Sequence, residues 1–306
     1  MSEEFRSGFA CLVGRPNAGK STLTNAMVGR KVAITSSRPQ TTRRVLRGIV
    51  NRPEGQLVMV DTPGLHRPRT LLGERLNDQV RETWSSVDVV GLCIPADQEV
   101  GPGDRYISTE LMSLRRTPIV AVVTKTDSVS RQTVAERLTE VSALAEETGL
   151  PWADVVPVSA RTGENVEVLI QQLIARLPEG PVLFPEGEDE AETIEIAIAE
   201  LIREAALEGV QDELPHSIAV VVDEIEPRED RPSDRPLTDV RASLFVERDS
   251  QKAIVIGKAG SRLKEVGTRA RREIEALLGV PVFLDIRVKV AKDWQKDAKQ
   301  LRRLGF

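Results

Sequence analysis

Eight residues near the start of the chain have the types and spacing that bind phosphate. They match the pattern G-x-x-x-x-G-K-[ST] and are Gly14, Arg15, Pro16, Asn17, Ala18, Gly19, Lys20 and Ser21. Glycines let backbone N–H groups close on phosphate oxygens, while Lys20 reaches the β- and γ-phosphates and the Ser21 hydroxyl can ligate Mg²⁺. The apolar run Phe9–Val13 precedes this phosphate loop and the helix-like segment Thr22–Val28 follows it. We therefore expect a nucleotide site here rather than a glycine-rich turn.

Further segments follow in the order that a guanine-nucleotide domain requires, and the order is stronger support than any one match. Asp61-Thr62-Pro63-Gly64 ends an apolar strand. There a carboxylate can hold Mg²⁺ through water and the Gly64 N–H can sense the γ-phosphate. The polar segment Thr35–Thr42 offers a second threonine ligand for the metal, and an exposed polar loop is the alternative.

The segment Thr124-Lys125-Thr126-Asp127, here called the base loop, favours guanine over adenine. It follows the strand-like run Ile119–Val123. The two oxygens of Asp127 can accept from the N1 and N2 donors of guanine, whereas adenine presents an acceptor and no exocyclic donor there. Ser159-Ala160, after the run Val155–Val158, fits a last segment whose backbone N–H contacts guanine O6.

Length and composition suit a protein of two domains. The chain has 306 residues, 40% of them hydrophobic, which is enough to build two cores. No run approaches the roughly 20 apolar residues that span a bilayer, and the first residues lack a signal pattern. A soluble, cytoplasmic protein is expected. Cys11 and Cys93 lie in apolar runs, so buried reduced thiols are expected rather than a disulfide or a metal pair.

Apolar strand-like runs alternate with helical patterns up to about Leu177, which predicts an α/β domain with a mostly parallel six-stranded sheet. The predicted strands are Phe9–Val13, Val45–Val50, Leu57–Val60, Val87–Ile94, Ile119–Val123 and Val155–Val158. Helices are predicted at Thr133–Glu147 and Val166–Leu177.

An acidic, proline-containing stretch separates this domain from a second one. We place the domains at residues 1–178 and 193–306, with a linker at 179–192. The second domain is predicted to be a small α+β module with helices at Thr193–Gly209 and Arg262–Leu278 and strands at Ser217–Ile225, Val240–Val246, Ala253–Ile256 and Val282–Val290.

The net charge of −5 conceals an uneven distribution. Residues 179–239 carry 4 basic and 19 acidic side chains, whereas residues 240–306 carry 16 basic and 8 acidic ones. A basic segment is a usual footprint of nucleic-acid binding, and a solvated charged face is the alternative.

The phosphate loop and its companion segments resemble those of translation-factor-type GTPases. Pro16-Asn17 and Gln40-Thr41-Thr42-Arg43 resemble the branch that contains the Era and MnmE families. In the second domain, the residues from Val255 to Lys264 resemble the G-x-x-G loop and following helix of a K-homology domain. Such a loop lets the backbone approach about four nucleotides closely. An ordinary turn is the alternative for the G-x-x-G pattern alone. The whole arrangement resembles the Era family of ribosome assembly GTPases over residues 6–306.

That resemblance implies a type II K-homology domain, GTP as substrate, and a nucleotide-controlled contact with 16S ribosomal RNA near its 3′ end on the small ribosomal subunit. It implies Mg²⁺ as cofactor, with K⁺ as a second candidate, and a monomer. A weak peripheral association with the inner face of the membrane is sometimes ascribed to the family, but the basic tail that would support it is equally explained by RNA binding.

The resemblance also assigns roles to residues of this sequence. The nucleotide-binding residues are Gly14, Arg15, Pro16, Asn17, Ala18, Gly19, Lys20, Ser21, Thr22, Asp61, Thr62, Pro63, Gly64, Leu65, Thr124, Lys125, Thr126, Asp127, Ser159 and Ala160. The catalytic residues are Lys20, Thr42, Gly64 and Asn17, and the metal ligands are Ser21, Thr42 and Asp61. The RNA-binding residues are Gly257, Lys258, Ala259, Gly260, Arg262 and Lys264.

Two positions depart from the usual GTPase pattern. Thr124 replaces the asparagine that ties the base loop to the phosphate loop, so weaker nucleotide binding is expected with guanine preference kept. Leu65 stands where Ras-type enzymes carry the glutamine that orients attacking water, so slow intrinsic turnover is expected. In the MnmE-like branch the asparagine matching Asn17 helps to hold K⁺ near the phosphates; a loop-shaping role is its alternative.

Two other functions compete with the GTPase switch. The first is an RNA-binding assembly scaffold whose guanine-nucleotide site has decayed and no longer turns over, for which Thr124 and Leu65 would be the signs. The second is an MnmE-like enzyme of transfer-RNA modification, which the carboxy-terminal module disfavours.

Overall fold

The computed structural model contains two compact units whose main division falls at residue 190; residues 70–75 group with the second unit. It describes residues 5–29, 46–61, 70–114, 116–185, 194–208, 217–228, 231 and 235–304. Within these ranges, no helix is both long enough and apolar enough to span a bilayer. The domain limits placed at 178 and 193 stay a prediction.

The first unit consists of strands that alternate with helices. The strands are β1 Arg6–Val13, β2 Leu46–Arg52, β3 Gly55–Asp61, β4 Val89–Pro95, β5 Ile119–Thr124 and β6 Asp154–Pro157. The helices are α1 Lys20–Val28, α2 Leu71–Ser86, α3 Pro102–Leu111, α4 Arg131–Thr148 and α5 Val166–Ile174. The predicted strands are confirmed, with small shifts at their ends. The last helix ends at Ile174 rather than Leu177.

The sheet order β2-β3-β1-β4-β5-β6 places β1 at its centre. Every neighbouring pair is parallel except β2 with β3. Alternate residues of β1 face opposite sides: Ala10 and Leu12 join one buried cluster, and Cys11 and Val13 join the other. Both cysteines are buried, as predicted. Because these strands are parallel, the carboxyl ends of β1, β3, β5 and β6 lie at one edge of the sheet.

The first half of the predicted linker is attached to the first unit. Gln56 on β3 is fully buried, and its Oε1 accepts hydrogen bonds from the backbone N–H groups of Leu183 (2.8 Å) and Phe184 (3.0 Å). Its Nε2 donates to the Phe184 carbonyl and to Asn51 Oδ1, each at 2.8 Å. These bonds satisfy the whole amide, so residues 183 and 184 belong structurally with the sheet.

The described part of the second unit has a three-stranded sheet and helices in the order α-β-β-α-α-β-α. Its strands are β7 Ala219–Pro227, β8 Thr238–Val246 and β9 Val282–Val290, and its helices are α6 Ile194–Leu207, α7 Asp249–Ile256, α8 Ser261–Leu278 and the short α9 Ala298–Arg303. In the order β7-β8-β9, the first pair is antiparallel and the second is parallel. A second core lies between this sheet and helices α6 and α8.

The predicted strand Ala253–Ile256 is wrong, because these residues form the end of α7. Short apolar runs do not distinguish strand from helix by periodicity. Gln251, the third residue of this helix, caps its start. Its Oε1 accepts hydrogen bonds from the N–H groups of Glu247 (2.9 Å) and Arg248 (3.0 Å). Val255 is then buried while Ile254 is 52% exposed, as one face of a helix requires.

Candidate nucleotide and nucleic-acid sites

The phosphate loop begins with a close backbone approach at the end of β1. Gly14 has φ 149°, and a Cβ there would lie 2.5 Å from the Cys93 carbonyl oxygen, so only glycine fits. Asn17 (φ 62°) and Gly19 (φ 89°) adopt left-handed conformations. Gly19 immediately precedes α1 and carries no side chain that would fill the space before the helix.

The ammonium group of Lys20 is held over this loop. The residue is 8% exposed, and its Nζ donates to the carbonyl oxygens of Gly14 (3.1 Å) and Arg15 (2.9 Å). The loop therefore wraps around a buried cation, which supplies positive charge where phosphate oxygens would lie.

Thr124 connects the phosphate loop to the base loop. It is 3% exposed, and its Oγ1 donates to the Ala18 carbonyl at 2.6 Å. The hydroxyl thus makes one of the contacts expected of the asparagine that it replaces. The expected weakening of nucleotide binding stays a prediction.

Asp127 and Ser159, predicted to contact guanine, lie 32 residues apart in sequence and are joined by a hydrogen bond. The Ser159 hydroxyl donates to Asp127 Oδ1 at 2.6 Å and accepts from the Thr162 N–H at 3.1 Å. Ser159 is fully buried, whereas Asp127 is exposed. One carboxylate oxygen is oriented from inside the protein, which leaves Asp127 in position to face a base.

Part of the predicted metal and catalytic set lies outside the described residues. This applies to Thr42, Thr62, Pro63, Gly64 and Leu65, and to the side chain of Asp61, which ends β3. Ser21 lies in the first turn of α1.

Of the predicted magnesium ligands, the hydroxyl of Ser21 is described, at the start of α1 beside the phosphate loop. Among the described residues, no group of three or more His, Cys, Asp or Glu side chains is placed to hold a metal ion. Mg²⁺ in nucleotide sites is bound by few protein ligands together with phosphate oxygens and water.

The G-x-x-G loop, Gly257–Gly260, joins α7 to α8. Gly257 has φ 73°, and a Cβ there would lie 2.7 Å from the Cβ of Arg262. Ala259 (φ 51°) and Gly260 (φ 78°) are also left-handed. Lys258 and Ala259 are exposed, so the loop presents backbone and one cation to solvent.

The two other predicted RNA-binding side chains differ in their surroundings. Lys264 is exposed on α8. Arg262 Nη2 instead donates to the carbonyl oxygens of Ala206 (3.3 Å) and Glu208 (2.7 Å) at the end of α6. A cation there satisfies the carbonyl groups of a helix C-terminus, so Arg262 has a structural role in the second unit.

Comparison with known proteins finds matches to both parts of the chain. A family model described as 50S ribosome-binding GTPase matches residues 9–125, and a KH domain model matches residues 213–295. The GTPase Era of Streptomyces coelicolor is 64% identical over 301 residues, which cover 98% of this chain and 95% of that protein. The GTPase Era of Mycobacterium sp. strain KMS is 63% identical over 304 residues, or 99% of each chain.

The chain belongs to the Era family of GTPases.

Solved Era structures share the fold over nearly the whole length. The crystal structure of Aquifex aeolicus Era bound to GDP·AlF4⁻ has a TM-score of 0.91 and 34% identity, covering 98% of this chain and 99% of that one. The same values hold for Era in complex with MgGDPNP and nucleotides 1506–1542 of 16S ribosomal RNA. The predicted α/β GTPase domain followed by a K-homology domain is confirmed.

Contacts around the Era-family nucleotide site include residues that sequence reasoning missed. Asp97, just after β4, binds Lys125, and Asp104, in the first turn of α3, binds Arg15. The sequence offered one signal, because Pro102 and Asp104 stand at the first and third positions of a helix, where proline and a carboxylate are favoured.

Proposed function

We propose that this protein is a GTP-hydrolysing molecular switch that binds 16S ribosomal RNA near its 3′ end and assists assembly and maturation of the small ribosomal subunit. The observation that carries the proposal is the full-length likeness to Era in complex with MgGDPNP and nucleotides 1506–1542 of 16S ribosomal RNA. The 64% identity to the Streptomyces protein supports the same activity.

In this proposal the phosphate loop binds the β- and γ-phosphates, with Lys20 opposing their negative charge as it grows in the transition state. Asp127, oriented by Ser159 at 2.6 Å, selects guanine. Ser21, Thr42 and Asp61 are the residues that would hold Mg²⁺, which neutralises phosphate charge when bound. Gly64 senses the γ-phosphate through its N–H. Hydrolysis then alters the segments at 35–43 and 62–80, and the RNA-binding domain responds.

Leu65 cannot orient water, so we propose that Asn17 helps to bind K⁺ near the phosphates. Its left-handed backbone (φ 62°) turns the loop at this residue. GTP turnover should be faster in KCl than in NaCl at equal ionic strength. Identical rates in the two salts would reject this part of the proposal.

On the RNA side, we propose that Gly257–Gly260 approaches the sugar-phosphate chain and that Lys258 and Lys264 lie near phosphates. Both lysines are exposed. Arg262 also belongs to the predicted set, although its guanidinium bonds to the end of α6 at 2.7 Å. We therefore expect Arg262 to support the loop more than to contact RNA. A monomer in the cytoplasm, with or without weak membrane association, stays a prediction.

Turnover measurements test this function against the decayed scaffold. GTP hydrolysis should be slow for the protein alone and faster with purified small ribosomal subunits, in buffer that contains Mg²⁺ and K⁺. Undetectable hydrolysis in both conditions, together with retained RNA binding, would favour the scaffold. Arg52→Gln is a suitable control, because Arg52 pairs with Glu167 at 2.8 Å and contacts neither nucleotide loop.

A further inference from the structure

One segment without a nucleotide motif contacts both loops of the nucleotide site. This bridging segment, Ala96–Asp104, begins after β4 and ends inside the first turn of α3. Its first two residues contact the base loop, and its last residue contacts the phosphate loop.

At the phosphate-loop end, the contact is a buried ion pair. Arg15 Nε donates to Asp104 Oδ1 at 2.8 Å, and the two residues are 89 positions apart in sequence. The Asp104 side chain is fully buried and that of Arg15 is 23% exposed. The arginine stem passes directly over Gly103, where an added Cβ would lie 2.7 Å from Arg15 Cδ.

Asp104 is itself fixed in place by the start of α3. Its second oxygen, Oδ2, accepts from the Gly101 N–H at 2.8 Å, and Pro102 begins the helix. A carboxylate is favoured at a helix N-terminus by the dipole and by the unsatisfied N–H groups there. Both oxygens of Asp104 are therefore bound, one by Arg15 and the other by the start of α3.

At the base-loop end, two contacts hold Thr124 and Lys125. The Ala96 N–H donates to the Thr124 carbonyl at 2.8 Å. Lys125, whose backbone is left-handed (φ 58°), bonds through Nζ to Asp97 Oδ2 at 3.0 Å. One short segment thus fixes both the backbone and the side chain of the base loop.

We propose that Ala96–Asp104 braces the phosphate loop against the base loop, and that Arg15, Asp104 and Asp97 are positioning residues for guanine-nucleotide binding. The proposal rests on the GTPase function. Asparagine offers two donors and an acceptor at position 124, whereas Thr124 offers one hydroxyl, which bonds to Ala18 at 2.6 Å. Thr124 therefore offers fewer hydrogen bonds between the two loops than asparagine would, and the bridging segment supplies additional contacts to both. Because both loops are held in place before the nucleotide binds, less conformational entropy is lost on binding.

A double-mutant cycle tests the brace. Arg15→Met removes the ion pair while keeping an apolar stem of similar length, and Thr124→Asn restores the amide. The full-length protein is titrated with a fluorescent GDP in the presence of Mg²⁺. Arg15→Met should raise Kd about ten-fold in the natural background and about three-fold or less in the Thr124→Asn background, because contacts that share a task are not additive.

Matched variants separate positioning from a purely structural role. Arg15→Lys should recover part of the affinity. Arg52→Met removes an ion pair with Glu167 that touches neither loop nor the bridging segment, so it should leave Kd unchanged. If Arg15→Met does not fold, Asp97→Asn weakens the ion pair at the other end, in which each side chain is 32% exposed. It should raise Kd about three-fold, as expected for a partly exposed charged pair.

Equal losses in both backgrounds would overturn the brace, as would a lowered melting temperature with Kd unchanged. If the unaltered protein bound GDP tightly and Arg15→Met bound it equally well, only the brace would fail. If the unaltered protein bound no guanine nucleotide, the proposed function would fail and the brace with it.

Discussion

The phosphate loop and the G-x-x-G loop share a backbone plan but not their surroundings. In each, a left-handed residue that is not glycine comes before a left-handed glycine that precedes a helix: Asn17 before Gly19, and Ala259 before Gly260. The phosphate loop is held from several sides by buried side chains, whereas Lys258 and Ala259 of the other loop are exposed.

This difference matches the ligand that each loop is proposed to bind. A nucleotide is small, so its loop gains affinity and rate by being fixed in advance through distant contacts such as Arg15 with Asp104. An RNA strand is long and enters from solvent, so its loop needs an accessible backbone. The phosphate loop should therefore be sensitive to changes far away in sequence, and the G-x-x-G loop to changes within itself.

The largest expected effect is that of Lys20→Ala. The ammonium group sits over the phosphate loop, 2.9 Å from the Arg15 carbonyl, and its loss removes charge stabilisation from the transition state. We expect kcat/KM for GTP to fall about 10²- to 10³-fold, measured by phosphate release. RNA affinity measured with no nucleotide present should not change. Normal hydrolysis by this variant would show that the site is assigned wrongly.

Gly257→Ala should impair the G-x-x-G loop and leave the phosphate loop unaffected. A Cβ there would meet Arg262 at 2.7 Å in a left-handed backbone, and such strain costs on the order of 1–3 kcal/mol. RNA affinity should fall about ten-fold or more, measured by filter binding of a 16S 3′-end fragment, while GTP turnover of the protein alone is retained.

Gly267→Ala is the matched control for that change. Gly267 lies inside α8 with open space around its Cβ position, so alanine should raise the free energy of unfolding by about 0.4–1 kcal/mol. If Gly267→Ala lowered RNA affinity as much as Gly257→Ala does, the conformation of the G-x-x-G loop would not be what determines RNA affinity.

Thr124→Val tests whether one hydroxyl connects the two nucleotide loops. The shapes match, but the buried Ala18 carbonyl loses its donor at 2.6 Å, which costs about 1–3 kcal/mol. The Kd for GDP should rise about ten-fold in a fluorescence titration, with RNA binding unaffected. An unchanged Kd would indicate that the loops are connected by other contacts.

The smallest effect is expected for an ion pair that touches neither loop. Arg52 bonds to both carboxylate oxygens of Glu167 at 2.8 Å, and these hydrogen bonds lower the pKa of Glu167. A carboxyl whose pKa is lower in the folded state stabilises the fold above its unfolded pKa, and that contribution is lost as the pH falls through the folded pKa.

Glu167→Gln should lower the free energy of unfolding by less than about 1 kcal/mol at pH 7, since the pair is partly exposed. Urea unfolding should show the difference shrinking as the pH falls below about 4. A difference that grows in acid would contradict the assigned direction of the pKa.

The sequence predicted those parts of the site in which chemistry fixes both residue type and order. Gly14 to Ser21, Asp127 and Ser159 lie after the strands that were expected to carry them, because parallel strands bring such loops to one edge. The burial of Cys11 and Cys93 could also be predicted, because both lie in apolar runs.

Contacts between distant residues could not be predicted from local patterns. Arg15 and Asp104 are far apart in sequence, and nothing near either residue indicates the other. Gln56 reads as an ordinary polar strand residue, yet it holds Phe184. Ala253–Ile256 was misassigned because a short apolar run fits a strand as well as a helix, and Gln251 decides between them through a backbone contact.

The most direct test of the switch compares the affinity of the full-length protein for a 16S 3′-end RNA fragment with GDPNP and Mg²⁺ bound and with GDP bound. We predict about ten-fold tighter RNA binding with GDPNP, an effect typical of coupled sites, and no such difference in Lys20→Ala. Equal RNA affinities in the two nucleotide states of the unaltered protein would contradict control of the RNA contact by the nucleotide.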